Sequence, residues 1–195
     1  MLKSLGEVVG KVLSLPLRVR YAVLRRLVGG DRAMSLISEA AGRRPGLLGL
    51  YARQAFYRRV LQSCGDDTHF GYQTLLSKRD ASVGDRVYFG RFCTVGRVTI
   101  GDDTRIADGV QLLSGRHHHG SSDQGIDREA VTHQRITIGK RVWIGANAVV
   151  MADIGDGAIV GAGAVVTKPV SAGTTVVGVP AGPIAHQQTQ PRQAA

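Results

Sequence analysis

Along residues 136–168 a branched aliphatic followed by glycine returns on a beat of six: Ile138-Gly139, Ile144-Gly145, then Ile154-Gly155 and Val160-Gly161. Four residues after each aliphatic stands a compact one: Val142, Ala148, Ala158 and Ala164. This period suits neither a helix of about 3.6 residues per turn nor a simple two-faced strand. It predicts a coil of short parallel strands, with the aliphatic pointing inward and the compact residue fitting a tight corner. Such units bury their apolar side only by stacking on neighbours. The same beat starts at Phe70-Gly71 and continues through Val83-Gly84, Phe89-Gly90, Ile100-Gly101 and Ile106 to Leu112. It loses a residue after Val95-Gly96 and stumbles again at Met151-Ala152-Asp153, where a shortened corner is expected. From Gly115 to Arg135 it stops altogether.

The chain before the beat has helical spacing. Leu2, Leu5, Val9, Val12 and Leu13 form a first pattern, which Pro16 should end or restart. Leu17, Tyr21, Leu24 and Val28 form a second apolar face, with Arg18, Arg20, Arg25 and Arg26 around it. Gly29-Gly30-Asp31 breaks it. A short helix over 34–41, a turn at Arg43-Arg44-Pro45-Gly46 and a longer helix over about 47–62 follow. The expected organisation is therefore a helical arm over 1–65, a coil over 66–185 with a loop at 115–135, and a disordered tail over 186–195.

Charge sharpens this division. Residues 1–60 carry twelve basic and three acidic side chains, so +9 of the total +10 sits on the arm. Two roles fit such an arm. It can lie on an anionic membrane surface or meet a lipid-linked substrate, or it can cap the open end of the coil. Nucleic-acid binding would rest on charge alone, with no reading motif. Aromatic residues are scarce at 5% while glycines number 26, which favours a narrow coil over a broad sandwich. Two cysteines, Cys64 and Cys93, exclude a disulfide scaffold. Cys93 falls on a compact corner position, as a buried apolar residue would. No apolar run approaches the ~18 residues of a membrane span, and the N-terminus is a poor signal peptide. Cytoplasm, with peripheral contact at the inner membrane face, is the expected location.

The excursion at 115–135 is polar, lacks periodicity and holds four of the six histidines. Long excursions from compact scaffolds are commonly functional. Together with Ile144-Gly145-Ala146-Asn147-Ala148-Val149-Val150, it makes the chain resemble the hexapeptide-repeat acyltransferases, in particular their sugar and polysaccharide O-acetyltransferase branch. The resemblance covers residues 70–184. Its most specific pieces are Val142-Trp143-Ile144-Gly145-Ala146-Asn147, the run from Gly161 to Lys168, and Gly178-Val179-Pro180-Ala181. It implies a mainly β fold, a left-handed parallel β-helix with the α-helical arm at its N-terminus, assembled as a homotrimer. It also implies acetyl-CoA as cosubstrate, held between coils.

In that family a histidine at the start of the excursion is the general base. Leu112-Leu113-Ser114-Gly115-Arg116-His117 matches the approach to it, which implies His117, with His119 as runner-up. A hydroxyl acceptor is a weak nucleophile until its proton is removed, and neutral imidazole can do this near pH 7. Asp123, Asp127, Glu129 or a backbone carbonyl would orient the ring. A backbone N–H at Gly145 or Ala146 would hold the oxyanion. Trp143 matches a tryptophan beside base and acceptor, and Ala146, Ala162, Thr167 and Lys168 match coenzyme A contacts, Lys168 as a charge for phosphate. The basic residues that commonly follow Pro-Ala in the family are replaced by Gly182-Pro183-Ile184-Ala185-His186. Serine or amino-sugar acetylation is the alternative on the same fold. A β-helix metal hydrase fits poorly: three consecutive histidines cannot all face one ion from a strand, so no metal site is expected.

Overall fold

A computed structural model describes residues 2–119 and 126–184, with side chains over 4–115 and 134–184. Three helices, α1 (Leu2–Val28), α2 (Gly30–Gly42) and α3 (Gly46–Val60), precede a parallel β-helix. The chain winds around three faces built from very short strands. The first face stacks Ser63–Cys64, Ser82–Val83, Val98–Ile100 and Ile136–Ile138, prolonged by single bridges at Ile154 and Val170. The second stacks His69–Phe70, Tyr88–Phe89, Arg105–Ile106, Trp143–Ile144, Ile159–Val160 and Thr175–Val177, with Gly182–Pro183 antiparallel at its end. The third stacks Leu75–Leu76, Thr94–Val95, Gln111–Leu112, Val149–Val150 and Val165–Val166.

Each face sends one file of side chains into the core. On the second face it runs Phe70, Phe89, Ile106, Ile144, Val160 and Val176, all buried. The Phe70 and Phe89 rings stack at 5.1 Å; below them the file narrows to branched aliphatics. Burying each such side chain stabilises by about 1.5–3 kcal/mol. From Thr68 to Ala164 the compact residue of each hexad is buried at a corner. At several early corners it is threonine, whose hydroxyl donates to the next coil: Thr74 to the Gly90 carbonyl at 2.6 Å, Thr104 to that of Gly139 at 2.8 Å. Later it is Ala148, Ala158 and Ala164. Cys93 stands in this series, buried, its thiol 3.2 Å from the Ala107 carbonyl oxygen.

The corners differ in regularity. From first to second face and from second to third, the inward aliphatics are always six apart, as in Ile138, Ile144 and Val150. From third face back to first, the steps are seven (Leu76 to Val83), five (Val95 to Ile100), twenty-six (Leu112 to Ile138) and twice four (Val150 to Ile154, Val166 to Val170). Both expected stumbles, and the excursion itself, fall on this third corner. In the described part the excursion is not a loop: Gly115–His119 pairs antiparallel with Ile126–His133, His117 opposite Val131. Neither strand carries an alternating apolar pattern, so nothing in the hydropathy announces the pairing.

The arm caps the coil. Tyr57 of α3 packs on Phe70 at 4.5 Å, and its hydroxyl donates to the Thr74 carbonyl at 3.1 Å. Ser38 of α2 completes the relay: its Oγ accepts from the Leu76 amide at 2.8 Å and lies 2.6 Å from the Tyr57 hydroxyl. Because the Tyr57 proton is committed to Thr74, Ser38 is the donor between them. Arg53, one of the twelve basic residues of the arm, is buried and donates through Nε to the Phe70 carbonyl at 2.9 Å. One expectation changes. Pro16 does not end a helix; α1 runs through it for 27 residues. Packing along α3 carries the helix past the missing amide, with Gly10 allowing close approach: a Cβ there would stand 2.5 Å from the Tyr51 carbonyl oxygen. Leu17 and Tyr21, on an apolar face that suited either a membrane or a cap, are turned inward and buried, and Leu24 packs against the same core. The expected tail, 186–195, lies outside the described residues.

Candidate active site at the coil corners

At each first and second corner the chain turns through four residues, the third of them in the left-handed region. Glycine fills that position in four corners, including Gly163 at φ 67°; Asn147 holds it at φ 57°. The glycine that opens a corner is there for a different reason. A Cβ on Gly145 would stand 2.5 Å from the Ala162 amide nitrogen of the next coil.

The second corner residue presents an outward amide, and the coil treats these amides unevenly. The Asp66 N–H donates to Asp85 Oδ1 at 2.7 Å, the Asp85 N–H to Asp102 Oδ1 at 3.0 Å, and the Lys140 N–H to Asp156 Oδ1 at 2.8 Å. On the second corner the Arg91 N–H donates to Asp108 Oδ1 at 2.8 Å. Each carboxylate thus closes the amide of the preceding coil, and those hydrogen bonds hold the Asp102 and Asp108 carboxyls below the usual carboxylate range. Elsewhere the second corner lacks such a cap: the Tyr72, Asp108, Ala146 and Ala162 amides meet no acceptor among the described residues, and Ala146 and Ala162 offer no carboxylate to the coil before them.

This separates two donors that sequence left equivalent. The Gly145 N–H is spent on the Val160 carbonyl at 2.8 Å, so it is not an oxyanion donor. The Ala146 N–H meets no acceptor among the described residues, and Ala146 itself is half-buried. Beside it Trp143 points outward from the second face, 45% exposed, in register between Arg105 and Ile159. Trp143, Gly145, Ala146 and Ala162 are therefore brought together along one corner column.

Thr167 and Lys168 are not part of that group. They stand exposed at the third corner, one face away. The hairpin bearing His117 and His119 is rooted at this same corner two coils earlier; the histidine side chains lie outside the described residues, as do those of Asp123, Asp127 and Glu129. The root is firmly held. The Gln134 N–H donates to the Ser114 carbonyl at 2.9 Å. Arg135 donates to the Asp80 carbonyl at 2.8 Å and to Asp80 Oδ2 at 3.1 Å. A cavity of about 70 Å³ lies beside it, lined by Ser114, Arg135, Met151, Asp153 and Pro169. The Asp80–Arg135 anchor has no sequence signal, since its partners come from corners three coils' worth of chain apart. A larger groove, about 700 Å³, lies at the opposite end between α1, α3 and the first corner, with Glu7, Lys11, Arg58, Arg59 and Asp66 in its wall. Its mixed charge and distance from the free amides set it apart from this chemistry. Burial pushes the Cys64 thiol up to about 11 and raises that of Cys93, so neither is an activated nucleophile.

Residues 135–168 match the protein-family model described as hexapeptide repeat of succinyl-transferase. The described fold superposes on a maltose O-acetyltransferase from Clostridium difficile 630 with a TM-score of 0.69 at 24% identity, covering 81% of this chain and 87% of that one. It superposes on a galactoside acetyltransferase in complex with coenzyme A with a TM-score of 0.68 at 25% identity, covering 80% of each chain. The chain has the hexapeptide-repeat acetyltransferase fold. Among curated proteins, WbbJ of Escherichia coli, a candidate lipopolysaccharide biosynthesis O-acetyl transferase, is 34% identical over 123 residues. That match spans 57% of this hexapeptide-repeat chain and 60% of the relative's length.

Proposed function

We propose that this hexapeptide-repeat protein transfers an acetyl group from acetyl-CoA to a sugar hydroxyl, with a cell-surface or exopolysaccharide precursor as acceptor. The observation that carries the reading is the open Ala146 amide beside the outward Trp143, on a corner where the next coil presents Ala162 and no carboxylate. In this reading His117, or His119 in its place, removes the acceptor's proton. The alkoxide oxygen attacks the thioester carbonyl, and the Ala146 N–H receives the negative charge that develops on the carbonyl oxygen. Collapse breaks the C–S bond, and the imidazolium returns its proton to the departing coenzyme A sulfur. Trp143, Ala162 and Thr167 line the cosubstrate, and Lys168 meets a phosphate. The names of the galactoside, maltose and lipopolysaccharide relatives support a sugar acceptor.

A homotrimer follows from the same reading. One copy carries the histidine hairpin on its third corner and the free amides on its second, so a shared site joins the hairpin of one copy to the amide column of another. An acceptor on a lipid carrier would place the enzyme at the inner membrane face, with residues 1–60 as the contact. The test is release of free thiol from acetyl-CoA in the presence of glycans, lipid-linked sugars, serine and amino sugars. Turnover that requires a sugar hydroxyl supports the reading; turnover only with serine or an amine replaces it with the alternative acceptor class.

A further inference from the structure

The side of α1 turned away from the protein is apolar. Leu5, Val8, Val12, Leu15, Val19 and Val23 recur in steps of three and four, each more than half exposed, and Leu27 continues the line at 73%. From Leu5 to Leu27 this runs roughly 33 Å at helical rise. Single exposed aliphatics need no explanation; a continuous line of them marks an interaction surface. It is distinct from the Leu17–Tyr21 face, which lies inward against the cap.

The spacing and the charge identify what covers it. A heptad seam begun at Leu5 would use Ala22 and Arg26 after Val19, whereas the exposed aliphatics are Val23 and Leu27. The stripe therefore keeps the period of a straight helix, which suits a flat surface better than a supercoiled second copy. At 3.6 residues per turn, Lys11 and Arg18 border it on one side and Arg20 on the other, with Arg25 and Arg26 in the last turn. Glu7 is the one acidic residue in the α1 sequence. A second copy would set like charges against each other, while an anionic surface complements them. No helix among the described residues is long and apolar enough to cross a membrane, so the contact lies in the interfacial plane.

We infer that α1 docks on an anionic phospholipid bilayer, with the Leu5–Leu27 stripe between the acyl chains and the bordering arginines and lysine at the phosphates. This deepens the peripheral-membrane part of the reading above and stands apart from acetyl transfer. The full chain should co-sediment at low salt with vesicles of phosphatidylglycerol and phosphatidylethanolamine, and much less with phosphatidylcholine alone. Val12→Gln with Val19→Gln changes two exposed positions and should weaken vesicle binding about tenfold or more, with the melting temperature and acetyl-CoA turnover in solution unchanged. Arg20→Gln with Arg25→Gln should remove the preference for anionic lipid. Equal binding by the Val12/Val19 variant, or equal wild-type binding to neutral vesicles, overturns the proposal. So does a change in the variant's sedimentation mass without a change in vesicle binding, which would assign the stripe to a second copy. Loss of turnover with vesicle binding intact would count against the acetyl-transfer reading alone.

Discussion

Two corners of this coil keep one length throughout, and the third takes every irregularity. At the first and second corners the amide of one coil meets the carboxylate, amide or glycine of the next at close range, so a residue more or less would shift every ladder hydrogen bond beyond it. At the third corner the steps range from four residues to twenty-six, and the faces on either side still stack in register. The lesson is a division of labour: the strict corners hold the stack and offer backbone donors, while the free corner projects the polar hairpin. Chemistry that needs both must draw on two corners.

Breaking the hairpin side should give the largest effect. His117→Ala is expected to lower kcat by roughly 10²–10⁴-fold with coenzyme A affinity and melting temperature nearly unchanged. Near-normal turnover in that variant, with collapse in His119→Ala, would move the base two residues along.

The strict side should respond in the opposite sense, through stability first. Gly145→Val places side-chain atoms against the Ala162 amide and should cost about 1–3 kcal/mol, seen as a lower unfolding midpoint. A single glycine inserted between Ala162 and Gly163 should be more damaging than one inserted between Ala152 and Asp153 at the free corner. Equal losses from the two insertions would remove the distinction between corners.

The cap at the top of the coil gives an effect of similar size. Tyr57→Phe takes the middle out of the relay from the Leu76 amide through Ser38 to the Thr74 carbonyl, leaving buried polar groups unpaired, and should cost about 1–3 kcal/mol. Desolvation raises the Tyr57 phenol to about 12, against about 10 for tyrosine in an unfolded chain. Its contribution is complete below about pH 10 and is lost as pH rises through about 12. The alkaline limb of the unfolding profile should flatten in Tyr57→Phe.

How much of this was legible follows from where the physics is local. The six-residue beat reports burial at Ile138, Ile144 and Val150, so the coil and its stumbles can be read directly. The helical arm is legible too, but not which of its faces turns inward: Leu17 and Val19 are equally apolar, and only the docking of α1 on α3 separates them. Pro16 argues locally against a helix that tertiary packing sustains. At the site, Ala146 and Gly145 look alike in sequence; their difference lies in the Val160 carbonyl of the next coil. One signal lies in the corners themselves: an aspartate follows the opening residue at Asp66, Asp85, Asp102, Asp108 and Asp156, and the last four of these cap an amide of the coil before, a role that alanine cannot take at 146 and 162.

That run supplies the smallest and most specific prediction. Asp108 accepts the Arg91 amide and is further held by the Arg91 guanidinium at 2.8 Å, and Asp102 accepts the Asp85 amide with Lys140 alongside at 3.2 Å. The backbone hydrogen bond is the leading cause of the lowered carboxyl pKa at both. A carboxyl whose folded pKa lies below its unfolded value near ~3.9 contributes stability that is complete above that value. The contribution disappears as pH falls through the lower, folded one. The coil's melting temperature should therefore hold to about pH 5 and drop below about pH 4. Asp108→Asn keeps an oxygen for the Arg91 amide but cannot titrate, so it should blunt the acid drop while changing neutral stability little. Asp108→Ala leaves the amide open and should cost on the order of 1 kcal/mol at neutral pH. If it costs nothing, carboxylate capping is dispensable at a second corner, and an alanine in place of a carboxylate there marks nothing about the site.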